Sequence, residues 1–205
     1  AAPRRSARAP SASRSVSEPG PEHPLGLGAS LDALAAPASA PAGGSAAALV
    51  GAIAAAVTVK VARASGAEGL AAQAAALCSR LADLAPEDAT ALAEVREALQ
   101  GATGAGGDER RDFRLGRMLA HASAVPLAIA EACADVACLA GELARCGEPD
   151  LRPDAGAAAL LATGAASAAA HLVEINLGVA AGDETSSRAR VAVETATSAA
   201  ARPSG

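Results

Sequence analysis

The polar residues that could carry chemistry are few, and the first group opens a long apolar run. Gly43, Gly44 and Ser45 precede a stretch made almost entirely of small apolar residues. Glycines let a backbone approach a ligand, and the unpaired N–H groups of a helix N-terminus bind anions or carboxylates. The Lys-Ser/Thr step of a P-loop is missing. Taken alone, the pattern is more typical of a helix N-cap than of a binding site.

Two acidic residues each follow a proline at a predicted helix start. Asp88 lies in the Pro86–Ala89 segment, and Asp154 lies in the Pro153–Gly156 segment. Acidic side chains complement the positive end of the helix dipole, so dipole complementation and capping explain both residues. A capping aspartate can also face a cleft, so the structural and functional interpretations are compatible.

A third polar group interrupts a helix that otherwise looks buried. His171, Glu174 and Asn176 require polar partners there, either in a network between helices or on a ligand. Their spacing is not that of a zinc-binding helix. Lys60 poses the same question in the first long helix, where its stem could simply snorkel to the surface. On residues alone, His171 is best interpreted as a satisfied core or interface residue.

Charge, cysteine usage and hydropathy exclude several functional classes. The net charge is −5 with scattered basic residues and no Trp or Tyr, which argues against nucleic-acid binding. The 4 cysteines form no CxxC pair, so we expect free thiols in a reducing cytoplasm and no metal. The apolar stretches 46–57 and 155–170 are short or run into polar residues. We therefore expect buried helices and no membrane partner.

The elements that must position these residues are helices. The chain has 205 residues and is 51% hydrophobic, mostly through alanine, with a single Phe and a single Met. Alanine is the best helix former and lets helices approach closely. The sequence predicts an all-α, Ala-rich bundle of five to six main helices. Because such a core is thin, we also expect a dimer.

Glycine, proline and capping residues mark the predicted boundaries of the segments and helices. Residues 1–29 are predicted to be a disordered leader, 30–200 the helical domain, and 201–205 a frayed tail. The Arg- and Ser-rich leader has the composition of a transit peptide, although a leader from a GC-rich bacterial genome is favoured. In the first half of the chain, the sequence predicts a Ser30 N-cap before a helix at Leu31–Ala35, a helix from Gly43 to Ala64 ended by Gly66, a helix over 67–84, and a new helix at Pro86. A loop is predicted at 101–107, followed by a helix capped by Asp108 with a break or kink at Pro126 and an end at Cys146-Gly147. Asp154 is predicted to cap a helix over 155–180, and Asp183 to cap the last helix.

The order of these segments resembles the formiminotransferase-cyclodeaminase family of folate enzymes, over about residues 30–198. The family shows Pro-Gly-Gly-Gly-Ser-x-Ala-Ala before a long helix, similar to Pro41-Ala-Gly-Gly-Ser-Ala-Ala-Ala-Leu49 here. An Asp-Ala step resembles the segment from Asp88, and an Asn-Val-x-Ile-Asn-Leu signature resembles Leu172-Val-Glu-Ile-Asn-Leu177. Two softer matches are Ala122–Glu131 and Cys146–Ala155. Five soft motifs in the right order make the resemblance fairly specific.

The resemblance implies a helical homodimer acting on a reduced folate without another cofactor. One family activity, a lyase, closes 5-formiminotetrahydrofolate to 5,10-methenyltetrahydrofolate with loss of ammonia. The other activity, a hydrolase, opens the methenyl form to 10-formyltetrahydrofolate. No formiminotransferase segment precedes residue 30 to supply formimino-folate, so the expectation is tilted slightly toward the hydrolase. Asp88 and Asp154 match acidic family positions and are candidates for proton transfer or pterin orientation. Gly43, Gly44 and Ser45 are a candidate ligand cradle, and Asn176 could bind the ligand or lock helices around it.

The chain departs from the family pattern at polar or close-approach positions. Ala42 replaces a glycine, Pro153 a serine, Leu172 an asparagine, and Lys60 an apolar residue. Two alternatives to an active enzyme follow: a catalytically degenerate helical dimer with a structural or regulatory role, and a helical interaction module unrelated to folate. If the chain is an enzyme, we expect Asp88 and Asp154 to share one cleft with the Gly43–Ser45 turn, because helix N-termini can converge at one end of a bundle.

Overall fold

The computed structural model describes residues 27–37, 42–101, 109–177 and 184–201. These segments form six α-helices, one short 3-10 helix and no strand, which confirms the predicted all-α class. The helices are α1 (Gly28–Ala35), α2 (Gly43–Ala64), α3 (Glu68–Gly101), α4 (Glu109–Cys146), α5 (Arg152–Leu177) and α6 (Glu184–Ala200), with the 3-10 helix Pro149–Leu151 before α5. The expectations for residues 1–26, for most of the 101–107 loop, for the Asp108 and Asp183 caps and for 202–205 fall outside the described residues.

The short helix α1 belongs to a unit of its own, and the other helices form a second compact unit. Helix α1 buries none of its residues. It begins at Gly28, so Ser30 lies inside the helix and the predicted N-cap role is wrong. The helix starts earlier because its first turn closes upstream of Ser30, where the Leu31 N–H donates to the Leu27 carbonyl.

Two long helices run through the prolines that were expected to end them. Helix α3 continues through Pro86, so the predicted start of a new helix there is wrong. Helix α4 continues through Pro126, so of the predicted break or kink the break is wrong. A proline inside a helix removes one N–H donor and leaves the carbonyl four residues earlier without its partner. At Pro126 that carbonyl belongs to Ala122, and it accepts a hydrogen bond from Asn176 Nδ2 at 2.9 Å. A side chain of α5 therefore replaces the hydrogen bond that Pro126 cannot make.

The core of the second unit is built mainly from alanine. Helix α4 packs against α2, α3, α5 and α6. Long buried stretches contribute only methyl groups, including Ala158, Ala162 and Ala166 along α5. Larger side chains such as Leu81 and Ile129 fill the space between these close helices. Their burial supplies much of the hydrophobic stabilisation, because an alanine methyl removes little apolar area from water.

Helix ends follow the predicted glycine signals. Helix α2 ends at Ala64, and Gly66 takes a φ of 67°, a conformation that other residues rarely adopt. Helix α4 ends at Cys146, where the Gly147 N–H donates to the Leu143 carbonyl at 2.8 Å. Ser65 ties these two ends together, because its Oγ accepts a hydrogen bond from the Glu148 N–H at 2.8 Å. Both end predictions, at Gly66 and at Cys146-Gly147, are confirmed.

Helices α2 and α5 lie side by side in opposite directions. The start of α2 meets the end of α5, since a side chain at Gly43 would contact Leu172, and the end of α2 meets the start of α5 through Lys60 and Asp154.

Within the described segments, three stretches are long and apolar enough by length and composition to cross a membrane: Gly43–Ala64, Ala122–Cys146 and Pro149–Leu177.

Candidate functional site

The start of α2 holds a buried carboxyl from another helix. Ser45 Oγ donates a hydrogen bond to Asp88 Oδ2 at 3.0 Å, and the Ser45 backbone N–H also hydrogen-bonds this carboxylate. Asp88 is 7% exposed, and it projects from the middle of α3 rather than from a helix start. The N-cap residue Ala42 makes no side-chain cap. Asp88 therefore takes the capping position of α2 from a distance of 43 residues in sequence.

Burial and hydrogen bonding act on Asp88 in opposite directions. Burial raises the pKa of Asp88 above its ordinary 3.8, because water that would solvate the charge is excluded. The hydrogen bonds from the Ser45 hydroxyl and backbone N–H lower the pKa, and burial is the larger effect. Because burial raises its pKa, the Asp88 carboxyl holds a proton up to a higher pH than an exposed aspartate does, and this is the direction that acid–base chemistry requires.

Gly44 is the residue that lets Asp88 approach α2. A Cβ built at Gly44 would overlap the Asp88 carboxyl, so no larger side chain fits while the Ser45–Asp88 hydrogen bond is kept. The first intrahelical bond of α2 is the one from the Ala46 N–H to the Ala42 carbonyl, so the N–H groups before Ala46 precede the helical ladder. The structure therefore places Asp88 against Gly44 and Ser45.

Asp154 lies at the other end of α2. Its Oδ2 accepts a hydrogen bond from Lys60 Nζ at 2.7 Å, and the two side chains are 46% and 60% exposed. Ser45 and Lys60 are about 22 Å apart along α2, at about 1.5 Å per residue. The expectation that Asp88 and Asp154 share one cleft within a chain is wrong. It failed because α2 and α5 are antiparallel, so their N-termini lie at opposite ends, and because Asp88 begins no helix.

The side chain of Asn176 forms a hydrogen bond within the helical bundle. Its Nδ2 donates to the Ala122 carbonyl that Pro126 leaves free, so of its two predicted roles the structure supports the lock between helices. His171 is exposed on α5, and Leu172 lies near the start of α2. Sequence reasoning missed the pairing of Lys60 with Asp154. The signal was present, since an isolated lysine in an apolar helix needs an acid or water, but its partner lies 94 residues away.

The departures from the family pattern leave the backbone of the site intact. Ala42 has φ −137° and ψ −157°, extended backbone that any L-residue adopts, so the lost glycine costs no strain there. Pro153 occupies the first turn of α5, where a missing N–H leaves no helical bond unmade. Leu172 places its methyl groups within 4.0 Å of where a Gly43 side chain would begin, and so adds an apolar wall.

Other candidate sites on the described surface are less developed. Two clefts lie between α4 and α6, and neither includes Ser45 or Asp88. The two clefts share Val191 and Thr195, and one of them is bordered by Glu131, which pairs with Arg188 at 2.7 Å. In the segments that the structure covers, no three His, Cys, Asp or Glu side chains are grouped as metal ligands. The start of α2, where the buried Asp88 carboxyl is hydrogen-bonded to Ser45, is therefore the better candidate for a functional site.

Comparison with known proteins finds a family model and solved structures that are similar to this chain. A family model described as formiminotransferase-cyclodeaminase matches residues 27–195. The crystal structure of formiminotetrahydrofolate cyclodeaminase from Thermotoga maritima aligns with a TM-score of 0.71 and 23% identity, over 85% of this chain and 89% of that one. At that identity the likeness shows a shared fold. A search of the curated proteins finds no match.

Proposed function

Because the chain belongs to the formiminotransferase-cyclodeaminase family, we propose that it acts on a reduced folate, closing 5-formiminotetrahydrofolate to 5,10-methenyltetrahydrofolate with release of ammonia. The observation that carries this proposal is the buried Ser45–Asp88 pair at the start of α2. Two further observations support it. The family model that matches residues 27–195 is described as formiminotransferase-cyclodeaminase, and Asp88, which is buried and hydrogen-bonded to Ser45, lies in a segment that carries the family resemblance.

The reaction needs a group that moves one proton. N10 of the folate attacks the carbon of the protonated formimino group on N5, which makes a tetrahedral carbon bonded to N5, to N10 and to an amino group. The proton lost from N10 is transferred to that amino group, and the bond between the carbon and the amino nitrogen then breaks. Ammonia leaves with two hydrogens from the protonated formimino group and one from N10, and the positive charge remains on the methenyl product. Asp88 is suited to accept the proton from N10 and to return it, because burial raises its pKa and so makes its carboxylate a stronger base than that of an exposed aspartate.

The surroundings of Asp88 assign separate tasks to its neighbours. Ser45 holds the carboxylate in one orientation through two hydrogen bonds, so the proton is exchanged at a fixed position. The N–H groups of Gly43 and Gly44 at the positive end of α2 can bind a folate carboxylate or stabilise negative charge as it develops. Leu172 offers an apolar contact for the flat rings of the substrate. Folate rings and carboxylates would then be held by different parts of one site.

We propose further that the chain works as a homodimer in the cytoplasm and requires no cofactor besides its folate substrate. Dimerisation is supported by the exposed side chains of Val50, Ile53, Leu160 and Leu161, which are 37%, 43%, 66% and 44% exposed. The proposed location in the cytoplasm is supported by the four cysteines, because all of them are free thiols. The hydrolysis of methenyltetrahydrofolate passes through a similar tetrahedral carbon, so the same assay must include it.

The test is a spectroscopic assay of the purified chain with each substrate, following the absorbance of the methenyl group as it forms or disappears. We expect formation from 5-formiminotetrahydrofolate, and a loss on the order of 10²-fold or more in Asp88→Asn. The matched control is Asp83→Asn, since Asp83 is exposed on the same helix and makes no contact with Ser45. This control should retain the rate of the unmodified chain.

Three results would contradict the proposal. Consumption of the methenyl form without reaction of the formimino form would assign the hydrolase activity instead. Binding of tetrahydrofolate without turnover of either substrate would assign a degenerate, non-catalytic member of the family. Full activity of Asp88→Asn, with an unchanged circular dichroism spectrum, would return Asp88 to the role of a helix cap.

A further inference from the structure

Asp88 lies on a face of α3 that is otherwise apolar. The buried residues in this part of the helix are spaced three or four apart, and they include Leu81, Leu84, Asp88 and Ala91. That spacing places them on one side of a helix. The side faces α2, because a side chain built at Gly51 of α2 would meet Leu81, and one built at Gly44 would meet Asp88. A carboxyl on such a face costs free energy unless it is hydrogen-bonded, so Asp88 depends on its partner in α2.

The opposite side of α3 carries two features that loosen its hydrogen-bond ladder. Pro86 has no N–H, so the Ala82 carbonyl, four residues earlier, loses its helical donor. Thr90 Oγ1 donates to the Pro86 carbonyl at 3.0 Å, and a back-bond of this kind often bends helices. All three residues are exposed. Pro86 and Asp88 are two residues apart, which is about 200° around a helix of 3.6 residues per turn. The ladder is therefore loosened on the solvent side, across the helix from Asp88.

We propose that Pro86 and Thr90 are positioning residues for Asp88: they bend α3 toward the start of α2 and so bring the Asp88 carboxyl against Ser45. A proline ring clashes with the carbonyl one turn earlier, which opens the side of the helix that carries the proline. With Pro86 on the solvent side, α3 curves toward α2, as helices that wrap around a core do. The bend acts on the residues that follow Pro86, and Asp88 is the first of them that is buried.

The contact between Asp88 and α2 leaves little room for displacement. A Cβ at Gly44 would overlap the Asp88 carboxyl, so the carboxyl lies directly on the backbone of α2. Ser45 Oγ donates to it at 3.0 Å, and a shift of about 1 Å would take the two oxygens beyond hydrogen-bonding distance. Proline is also the least favourable residue in a helix interior. Such local costs occur mainly at functional sites, and Pro86 lies two residues before the buried acid.

A coupling measurement tests the positioning without any enzyme assay. The pKa of Asp88 is followed by NMR titration of its side-chain carboxyl, with Asp88→Asn used to assign the signal. In the unmodified chain, Ser45→Ala should raise this pKa, because it removes a hydrogen bond that lowers it. In a Pro86→Ala background most of that rise should disappear, because Ser45 no longer reaches the carboxyl. A Thr90→Val background should show a smaller decrease in the coupling.

Pro153→Ala is the matched control for the coupling measurement. Pro153 is an exposed proline in the first turn of α5, at the other end of α2, so this background should keep the full effect of Ser45→Ala. The full rise in the Pro86→Ala background would overturn the proposal. If Pro86→Ala failed to fold, the full rise in the Thr90→Val background would overturn it.

The reaction rate provides a second test, and only this test rests on the proposed function. Pro86→Ala should lower kcat on the order of 10-fold to 10²-fold, because a proton-transfer group displaced by about 1 Å loses that much. Its Tm should be unchanged or higher, because alanine restores the missing N–H. Pro153→Ala should keep the unmodified rate, and full activity of Pro86→Ala would overturn the proposal. If the unmodified chain turned over no folate, the proposed function would fail, whereas the coupling measurement would still decide whether Pro86 positions Asp88.

Discussion

The hydrogen bond from Ser45 to Asp88 predicts a loss of stability that depends on pH. Ser45→Ala removes the Oγ donor at 3.0 Å from a carboxyl that is 7% exposed. A hydrogen bond to an ionised group contributes about 1.5–3 kcal/mol, and one between neutral groups about 0.5–1.5 kcal/mol. We therefore expect the larger loss at pH values above the folded pKa of Asp88, where the carboxyl is charged, and the smaller loss below that pKa, where the carboxyl is protonated.

The sign follows from the raised pKa. In the folded chain the pKa of Asp88 lies above its ordinary 3.8, so stability falls as pH rises through the folded value. Ser45→Ala removes a hydrogen bond that lowers the pKa, so the pKa of Asp88 rises further and the variant loses more stability over that window. The difference in stability from the unmodified chain should grow as pH rises from the ordinary value of 3.8 through the folded pKa of Asp88.

Thermal unfolding followed by circular dichroism measures this difference. About 1.5–3 kcal/mol corresponds to a Tm decrease of about 3–12 °C for a domain of this size. Ser123→Ala is the matched control, since Ser123 is equally buried but its Oγ donates to the neutral Leu119 carbonyl. Its loss should be independent of pH. If both variants showed the same pH dependence, the argument that Ser45 stabilises the charged form of Asp88 would be refuted.

Three further predictions concern other contacts. Asn176→Leu should cost about 1–3 kcal/mol in urea unfolding, because it leaves the buried carbonyl at the Pro126 position without a donor, and an unchanged midpoint would show that the carbonyl finds another partner. Lys60→Met should change stability by less than about 1 kcal/mol, because both partners of its ion pair are substantially exposed; a larger loss would indicate a buried pair. Cys133 should resist alkylation at pH 8 in the folded chain, since burial raises the pKa of its thiol to about 12, and mass spectrometry showing early modification of Cys133 would contradict this.

Local signals in the sequence predicted much of the fold. The start of α2 at Gly43 and the helix ends at Gly66 and Cys146-Gly147 depend on backbone preferences of a few neighbouring residues, which the sequence displays directly. The prolines misled for the opposite reason. Whether Pro126 ends a helix depends on whether another element supplies the missing donor, and Asn176 of α5 does so from 54 residues away by hydrogen bonding to Ala122.

The candidate site was predictable in its members but not in its arrangement. Ser45 and Asp88 were each indicated by their segments, and the structure brings them together across 43 residues. Asp154 was expected beside them on the assumption that helix starts converge. The direction of packing of α2 against α5 decides that question, and no local pattern encodes it. Pairing of Lys60 with Asp154 depends on the same packing direction and was missed for the same reason.

The alanine core has a consequence for how this chain can change over time. An alanine side chain has no rotamers, so it loses no side-chain freedom on folding, but it also cannot reorient to accept a larger neighbour. Positions such as Ala48, Ala162 and Ala166 are 0% exposed, and many of their neighbours in the core are also alanines, so few side chains there can move aside for an added methylene. Substitutions that enlarge these residues must push whole helices apart. Substitutions are therefore tolerated mainly on the outer faces of the helices, whereas the alanines of the interior fix the distances between the helices.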